Sequence, residues 1–120
     1  MKILIADDEL RLRKVIALYL SKCGHEIIEA GNGETAVELA KEFTPDAIVL
    51  DVMMPGISGI EATQAIRSIN GFEKTPIILL TANASENDIK KGLSTGADKY
   101  ITKPFSPKEL VEIIEELVNK

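Results

Sequence analysis

Five short apolar runs alternate with longer segments of helical period, and this alternation limits the chain to very few architectures. The runs are KILIA (2–6), EIIEA (26–30), AIVLD (47–51), PIILL (76–80) and KYIT (99–102). Strands this short, separated by a dozen or more residues of helical pattern, cannot pair as hairpins. They are joined by crossovers, which makes a parallel sheet covered by helices on both faces. Right-handed crossovers then favour a doubly wound α/β sheet of five parallel strands in the order 2-1-3-4-5. AIVL and PIILL are apolar throughout, as strands buried on both faces must be, so they belong in the centre. EIIEA carries a charge near each end and suits an edge.

The helical segments show where the two covering layers lie. Leu12, Val15, Ile16, Tyr19 and Leu20 recur at steps of three and four before Gly24 and predict one buried face. Ala36, Val37, Leu39, Ala40 and Phe43 do the same before Pro45, and Ile60, Ala62, Ala65, Ile66 and Ile69 before Asn70-Gly71. The last helix has the strongest start signal. Ser106 stands as N-cap, Pro107 in the first turn and Glu109 three residues after the Ser, ahead of Leu110, Ile113, Ile114, Leu117 and Val118. The segment 85–95 offers only Ile89 and Leu93 as anchors and is expected to be the most weakly held helix.

At 120 residues the whole chain, 1–120, reads as one domain, with 45% hydrophobic and 28% charged residues and no repeat or low-complexity stretch. Cys23 is the single cysteine, so no internal disulfide can form. Acids interrupt the opening MKILIADDEL too early for a signal peptide or membrane span, so the expected location is cytoplasmic. A net charge of −5 without a basic stripe argues against direct nucleic-acid binding.

In an open parallel sheet, ligands bind outside the carboxyl ends of the strands, where the winding direction reverses. Asp7 and Asp8 follow the first run, Asp51 ends the third, Thr81 follows the fourth and Lys103 the fifth. All belong to one sheet edge and are expected to converge on one crevice. Clustered carboxylates repel each other until a cation relieves them, and an oxygen-only set suits Mg²⁺. Zinc is disfavoured, because His25 and Cys23 are the only nitrogen and sulfur candidates. Lys103 brings a compact positive charge and Thr81 a hydroxyl, the groups a phosphoryl oxygen needs. Asp51 stands alone at the end of a central strand while Asp7 and Asp8 come as a pair, so Asp51 reads as the nucleophile and the pair as the metal holder. Singly, each residue has a plainer explanation. An Asp pair after a strand commonly makes a turn or helix cap, and a lysine at a strand end is commonly solvated. Arg11, Arg13 and Lys14 read either as a solvated face or as a patch that meets a partner.

Taken together, DDE (7–9), LDVMMPGISG (50–59), LLTA (79–82), TGADKYITKPF (95–105) and SPKEL (106–110) resemble, in order and spacing, the receiver domains of two-component response regulators. The resemblance spans the chain and implies a flavodoxin-like, CheY-like fold of five strand-helix units. It implies that Asp51 is the phosphoacceptor, that Asp7 and Asp8 serve a Mg²⁺ site, and that Met53 lends that site its backbone carbonyl. Thr81 and Lys103 would contact the phosphoryl group, and Tyr100 would be an aromatic switch. The Lys103-Pro104 bond would be cis, and Met53 and Asn83 would tune the lifetime of the acyl phosphate. The implied donor is a sensor histidine kinase or a histidine phosphotransfer protein, and the implied output is an altered surface on segment 85–95, the fifth strand and the last helix, read by an unidentified partner.

Two enzyme or cofactor readings compete. Mg²⁺-dependent phosphatases with an aspartate nucleophile carry a second acid two residues on, where this chain has Met53. A flavin carrier would want a hydroxyl- and glycine-rich loop where this chain has ADDELR. A non-enzymatic signalling acceptor, with only self-catalysed transfer and loss of the phosphoryl group, remains. The stretch TGADKYITKPFSPKEL also resembles receivers of winged-helix regulators that dimerise, but Lys99 replaces a usual acid and the last helix has no arginine. A stand-alone monomer or weak dimer is therefore expected, with a receiver fragment of a DNA-binding regulator as the alternative.

Overall fold

The computed structural model of the chain describes residues 1–82, 90, 94 and 96–119. Five parallel strands form its sheet: β1 (Lys2–Ala6), β2 (Glu26–Ala30), β3 (Ala47–Asp51), β4 (Ile77–Thr81) and β5 (Lys99–Thr102). Their order is β2-β1-β3-β4-β5, the doubly wound order expected from right-handed crossovers. Four strands have the expected bounds. The fourth begins and ends one residue later than expected, because Pro76 has no N–H for the ladder and lends only its carbonyl, to Ile48 N–H. Four helices cover the sheet among the described residues: α1 (Leu10–Lys22), α2 (Gly33–Phe43), α3 (Gly59–Arg67) and α4 (Pro107–Val118). Of the expected helix at 85–95 only Lys90 and Ser94 are described, both helical and exposed; its expected anchors Ile89 and Leu93, and Asn83, lie outside the described residues.

Alternation along the buried strands splits the core into two layers. Leu4, Ala6, Ile48, Leu50, Ile77 and Leu79 pack with Ala36, Ala40, Ala62 and Ile66 of α2 and α3. Ile3, Ile5, Val49, Ile78 and Leu80 pack on the other face with Ile16, Leu20, Leu110 and Ile114 of α1 and α4. Every residue of β3 and β4 is buried, whereas β2 is buried fully only at Ala30, as befits an edge.

Two local expectations need correction. Val15 is 54% exposed and leaves the expected stripe, whereas Ile16 and Leu20 are buried as expected, Leu12 and Tyr19 pack partly against the same core, and Ala17 joins the buried face. Leu10, Val15 and Leu18 all face outward. The residues Arg13 and Lys14 are not a free basic patch either, because both pair with Glu29 of β2 at 3.0 Å. The Glu29 carboxyl feels burial, which raises its pKa, but the hydrogen bonds and charges of Lys14 and Arg13 outweigh it and the pKa falls below the usual value. Helix starts follow the sequence signals. The Ser106 side chain accepts from Glu109 N–H at 3.0 Å, and α3 opens on a reciprocal capping box between Ser58 and Glu61 that the hydrophobic pattern did not reveal.

Candidate functional site

Strand parity decides which side chains meet at the carboxyl edge. In β1 and β3 the odd-numbered Ile3, Ile5 and Val49 point to the α1/α4 face, so Asp7 and Asp51, continuing those rows, emerge on that side. In β5 Ile101 points the same way, and Lys103 follows it two residues on. The three side chains meet. Lys103 Nζ donates to Asp51 Oδ2 at 3.0 Å and to Asp7 Oδ2 at 3.4 Å. Asp7 is fully buried and Asp51 nearly so, while Asp8 is exposed at the lip.

Each carboxylate is held by the backbone around it. Asp7 N–H reaches Ala30 O across the β1/β2 edge, and Asp7 Oδ1 accepts from Glu9 N–H at 2.9 Å, a turn that leads into α1. The plain explanation for an Asp pair therefore holds for one oxygen of Asp7, and the second oxygen still faces Lys103. Asp51 Oδ1 accepts from Met53 N–H at 3.3 Å, which folds the chain after β3 back over its own carboxylate. The Met53 side chain itself points outward and is exposed.

Burial raises the Asp51 pKa, and the neighbouring Asp7 charge adds to it. The hydrogen bond and charge of Lys103 and the Met53 N–H pull the other way without cancelling them, so the carboxyl is pushed up from 3.8 to about 6. Burial works to lower the Lys103 pKa, but its hydrogen bond to Asp51 and the charges of Asp51 and Asp7 raise it above the ordinary value. One lysine thus faces more negative charge than it can neutralise.

That excess suits a divalent cation. Oxygen atoms of Asp7, Asp8 and Asp51 all lie within 4.8 Å of one another, two buried and one exposed. An all-oxygen set open to water on one side fits Mg²⁺, which keeps several waters and takes one or two carboxylates.

Thr81 ends β4 and is buried. Its parity is that of Ile77 and Leu79, so it belongs to the opposite face from Asp51, on the row that includes Tyr100 of the neighbouring strand. Tyr100 pairs in register with Leu79 and is half-buried against the α2/α3 layer. Lys103 N–H donates to Thr81 O at 2.6 Å, which ties the end of β5 to the end of β4, and the Lys103-Pro104 peptide is cis. Asn83 is not among the described residues. Arg13 escaped the sequence reading as a site residue. Its guanidinium donates to Asp7 O at 2.8 Å while pairing with Glu29, bracing the acidic loop from behind.

A family model described as the response regulator receiver domain matches residues 3–115. The transcriptional regulatory proteins ResD of Bacillus subtilis and SrrA of Staphylococcus aureus are each 43% identical to the chain over 119 residues, 99% of it and 48% of their own length. The chain thus spans about half the length of the curated relatives it matches. Among solved structures, chemotaxis response regulator CheY4 of Vibrio cholerae superposes with a TM-score of 0.92 at 31% identity, covering 97% of both chains. The receiver domain of a Pseudomonas aeruginosa sensor histidine kinase, solved with a magnesium ion coordinated in its active-site cleft, superposes with a TM-score of 0.91 at 33% identity, covering 99% of this chain and 98% of that one.

Proposed function

The chain belongs to the response regulator receiver domain family of two-component systems, and from that premise we propose that residues 1–120 act as one phosphoacceptor domain whose acceptor is Asp51. The observation that carries this reading is the contact of Lys103 Nζ with both Asp51 and Asp7 at the mouth of the acidic crevice. An Asp51 carboxylate oxygen attacks the phosphorus of a phosphohistidine in a sensor histidine kinase or histidine phosphotransfer protein. The new P–O bond forms as the P–N bond breaks, and the bonding pair leaves with the imidazole, which takes up a proton.

Lys103 stabilises charge on the phosphoryl oxygens as it shifts from carboxylate to product. Asp7 and Asp8, with Asp51 and the Met53 carbonyl, are the residues that would hold Mg²⁺. When bound, the ion neutralises the crowded carboxylates and the incoming phosphoryl oxygens. Hydrolysis of the resulting mixed anhydride returns Asp51, at a rate that the residue types at positions 53 and 83, Met53 and Asn83, tune. No turnover of an external substrate is assigned beyond this self-catalysed cycle.

The switch in this reading runs through Thr81, which moves toward the phosphoryl oxygens, and Tyr100, which packs more deeply in response. Their shared row on one face of adjacent strands supports the pairing. The docking face is the outer side of α1, where Leu10, Val15 and Leu18 are exposed beside Arg11, next to the acidic loop. The output goes to a protein surface or an effector region, since the charge of −5 and the lack of a basic stripe leave this segment no means of binding nucleic acid itself. The likeness to transcriptional regulatory proteins of about twice the length favours an effector region over the stand-alone arrangement. No helix among the described residues is long and apolar enough to cross a membrane.

The test is intact-protein mass after incubation with Mg²⁺ and acetyl phosphate. One phosphoryl adduct that disappears with EDTA and in Asp51→Asn is expected. Folded protein that stays unmodified would overturn the assignment.

A further inference from the structure

We propose that Glu34 is a positioning residue for the acceptor loop, the tie by which α2 fixes the backbone that follows Asp51. The inference rests on the phosphoacceptor reading and extends it to a residue on a different element. Glu34 sits in the first turn of α2, and its Oε1 accepts from Ile57 N–H at 2.6 Å. Ile57 lies in the loop between β3 and α3, which also carries Met53. At its start the loop is tied to β4 by Val52 N–H donating to Leu80 O; further on, Met53 N–H donates to Asp51, Ser58 N–H to Glu61 and Gly59 N–H to Val52 O, all within the segment from β3 to α3. Glu34 adds, from α2, a side-chain hydrogen bond to the far half of this loop.

The seam around that contact is built without side chains. Gly56 has φ 78°, a backbone region in which only glycine is unstrained, and a Cβ there would run into both carboxylate oxygens of Glu34. Gly33, the first residue of α2, lies so close to Ile57 that a Cβ would meet Ile57 Cγ1 at 2.5 Å and Ile57 O at 2.6 Å. The turn at Gly56 and the start of α2 are therefore pressed together, with the Glu34 carboxylate between them. Its negative charge also lies at the positive end of the α2 dipole.

The consequence concerns the metal. A backbone carbonyl serves as a ligand only if the loop that carries it is held, and Met53 has no rigid element on its far side until α3 begins at Gly59. Releasing Ile57 N–H from Glu34 frees the turn at Gly56 and lets the Met53 peptide drift from the carboxylates.

The experiment compares wild type with Glu34→Ala, Glu34→Gln and Glu38→Ala. Glu38 is an exposed acid one turn further along α2, and its loss controls for charge. Three readouts are taken: hydrogen exchange of the Ile57 amide in metal-free protein, Mg²⁺ affinity by calorimetry, and the rate of phosphorylation by acetyl phosphate at low and saturating Mg²⁺. Glu34→Ala is expected to speed Ile57 exchange and to weaken Mg²⁺ binding by about tenfold, at the low end for an outer partner of a metal ligand. Its phosphorylation should be slowed at low Mg²⁺ and recover at saturation. Glu34→Gln keeps an acceptor oxygen and should recover most of the affinity, and Glu38→Ala should match wild type. Unchanged Mg²⁺ affinity in Glu34→Ala, with wild type phosphorylating normally, would overturn the role and leave the acceptor reading intact. A wild-type protein that takes up neither Mg²⁺ nor a phosphoryl group would overturn the acceptor reading and this role with it, whatever the Ile57 amide shows.

Discussion

Replacing Asp51, the proposed acceptor, should make the metal-free protein more stable. Asp51 is nearly buried beside Asp7, and its pKa rises from 3.8 to about 6, chiefly through burial, even after the pull of Lys103. Between those values the folded protein holds a proton that the unfolded chain releases, so stability falls as pH rises from about 4 through about 6 and is level above that. A carboxyl raised this far costs the folded state about 3 kcal/mol once ionised, and the attraction of Lys103 is already contained in that figure. Asp51→Asn removes the charge and keeps the shape. Allowing for relaxation of the site, it should gain about 2 kcal/mol at pH 7, or about 1 M in the urea midpoint. The gain should be about halved at pH 5, where the unfolded chain is ionised but the folded site is not. Addition of Mg²⁺ should close the gap by stabilising wild type alone. The assay is urea unfolding followed by far-UV circular dichroism at pH 5 and pH 7, with and without Mg²⁺. A less stable Asp51→Asn at pH 7, or a gap independent of pH, would refute the electrostatic account of the crevice.

Three further outcomes follow from the same geometry. Mg²⁺ affinity should fall by about tenfold between pH 7 and pH 5, because protonation of Asp51 near pH 6 removes one charge from the proposed metal site; calorimetry at the two pH values reads it directly. Arg67→Ala should cost about 2–4 kcal/mol, since its guanidinium binds Phe72 O, Thr75 O, Gly96 O and Asp98 Oδ2 at once and leaves these acceptors without it; thermal unfolding measures the loss. Leu18→Glu on the exposed face of α1 should shift stability by no more than about 0.5 kcal/mol, yet slow transfer from a histidine kinase without changing the rate with acetyl phosphate.

The sheet and the crevice were legible because they depend on period and parity. Short runs with an apolar centre identify the strands, and their carboxyl ends bring Asp7, Asp51 and Lys103 to one edge whatever the helices do. The face each side chain takes needed the pairing register as well, which puts Asp7, Asp51 and Lys103 on one face and Thr81, expected in the same crevice, on the other. Helix faces were less legible. In α1, Val15 fits the apolar stripe as well as Ala17 does, and only the position of the sheet beneath decides that Ala17 is buried. Contacts between distant residues were not legible at all: Glu29 pairing with Arg13 and Lys14, or Glu34 meeting Ile57 N–H, depends on which segments lie side by side. The capping box at Ser58 and Glu61 was within reach, since Ser-x-x-Glu is its signature, but it lay in the shadow of the Met-Met-Pro-Gly turn.

The central claim is that one carboxylate, Asp51, receives the phosphoryl group. Treating the phosphorylated protein with borohydride reduces an acyl phosphate to an alcohol, converting aspartate to homoserine at the modified position, and peptide sequencing by mass spectrometry then locates it. Homoserine at position 51 alone, absent when phosphodonor or Mg²⁺ is omitted, is the predicted result. Homoserine at Asp7 or Asp8, with Asp51 intact, would contradict it.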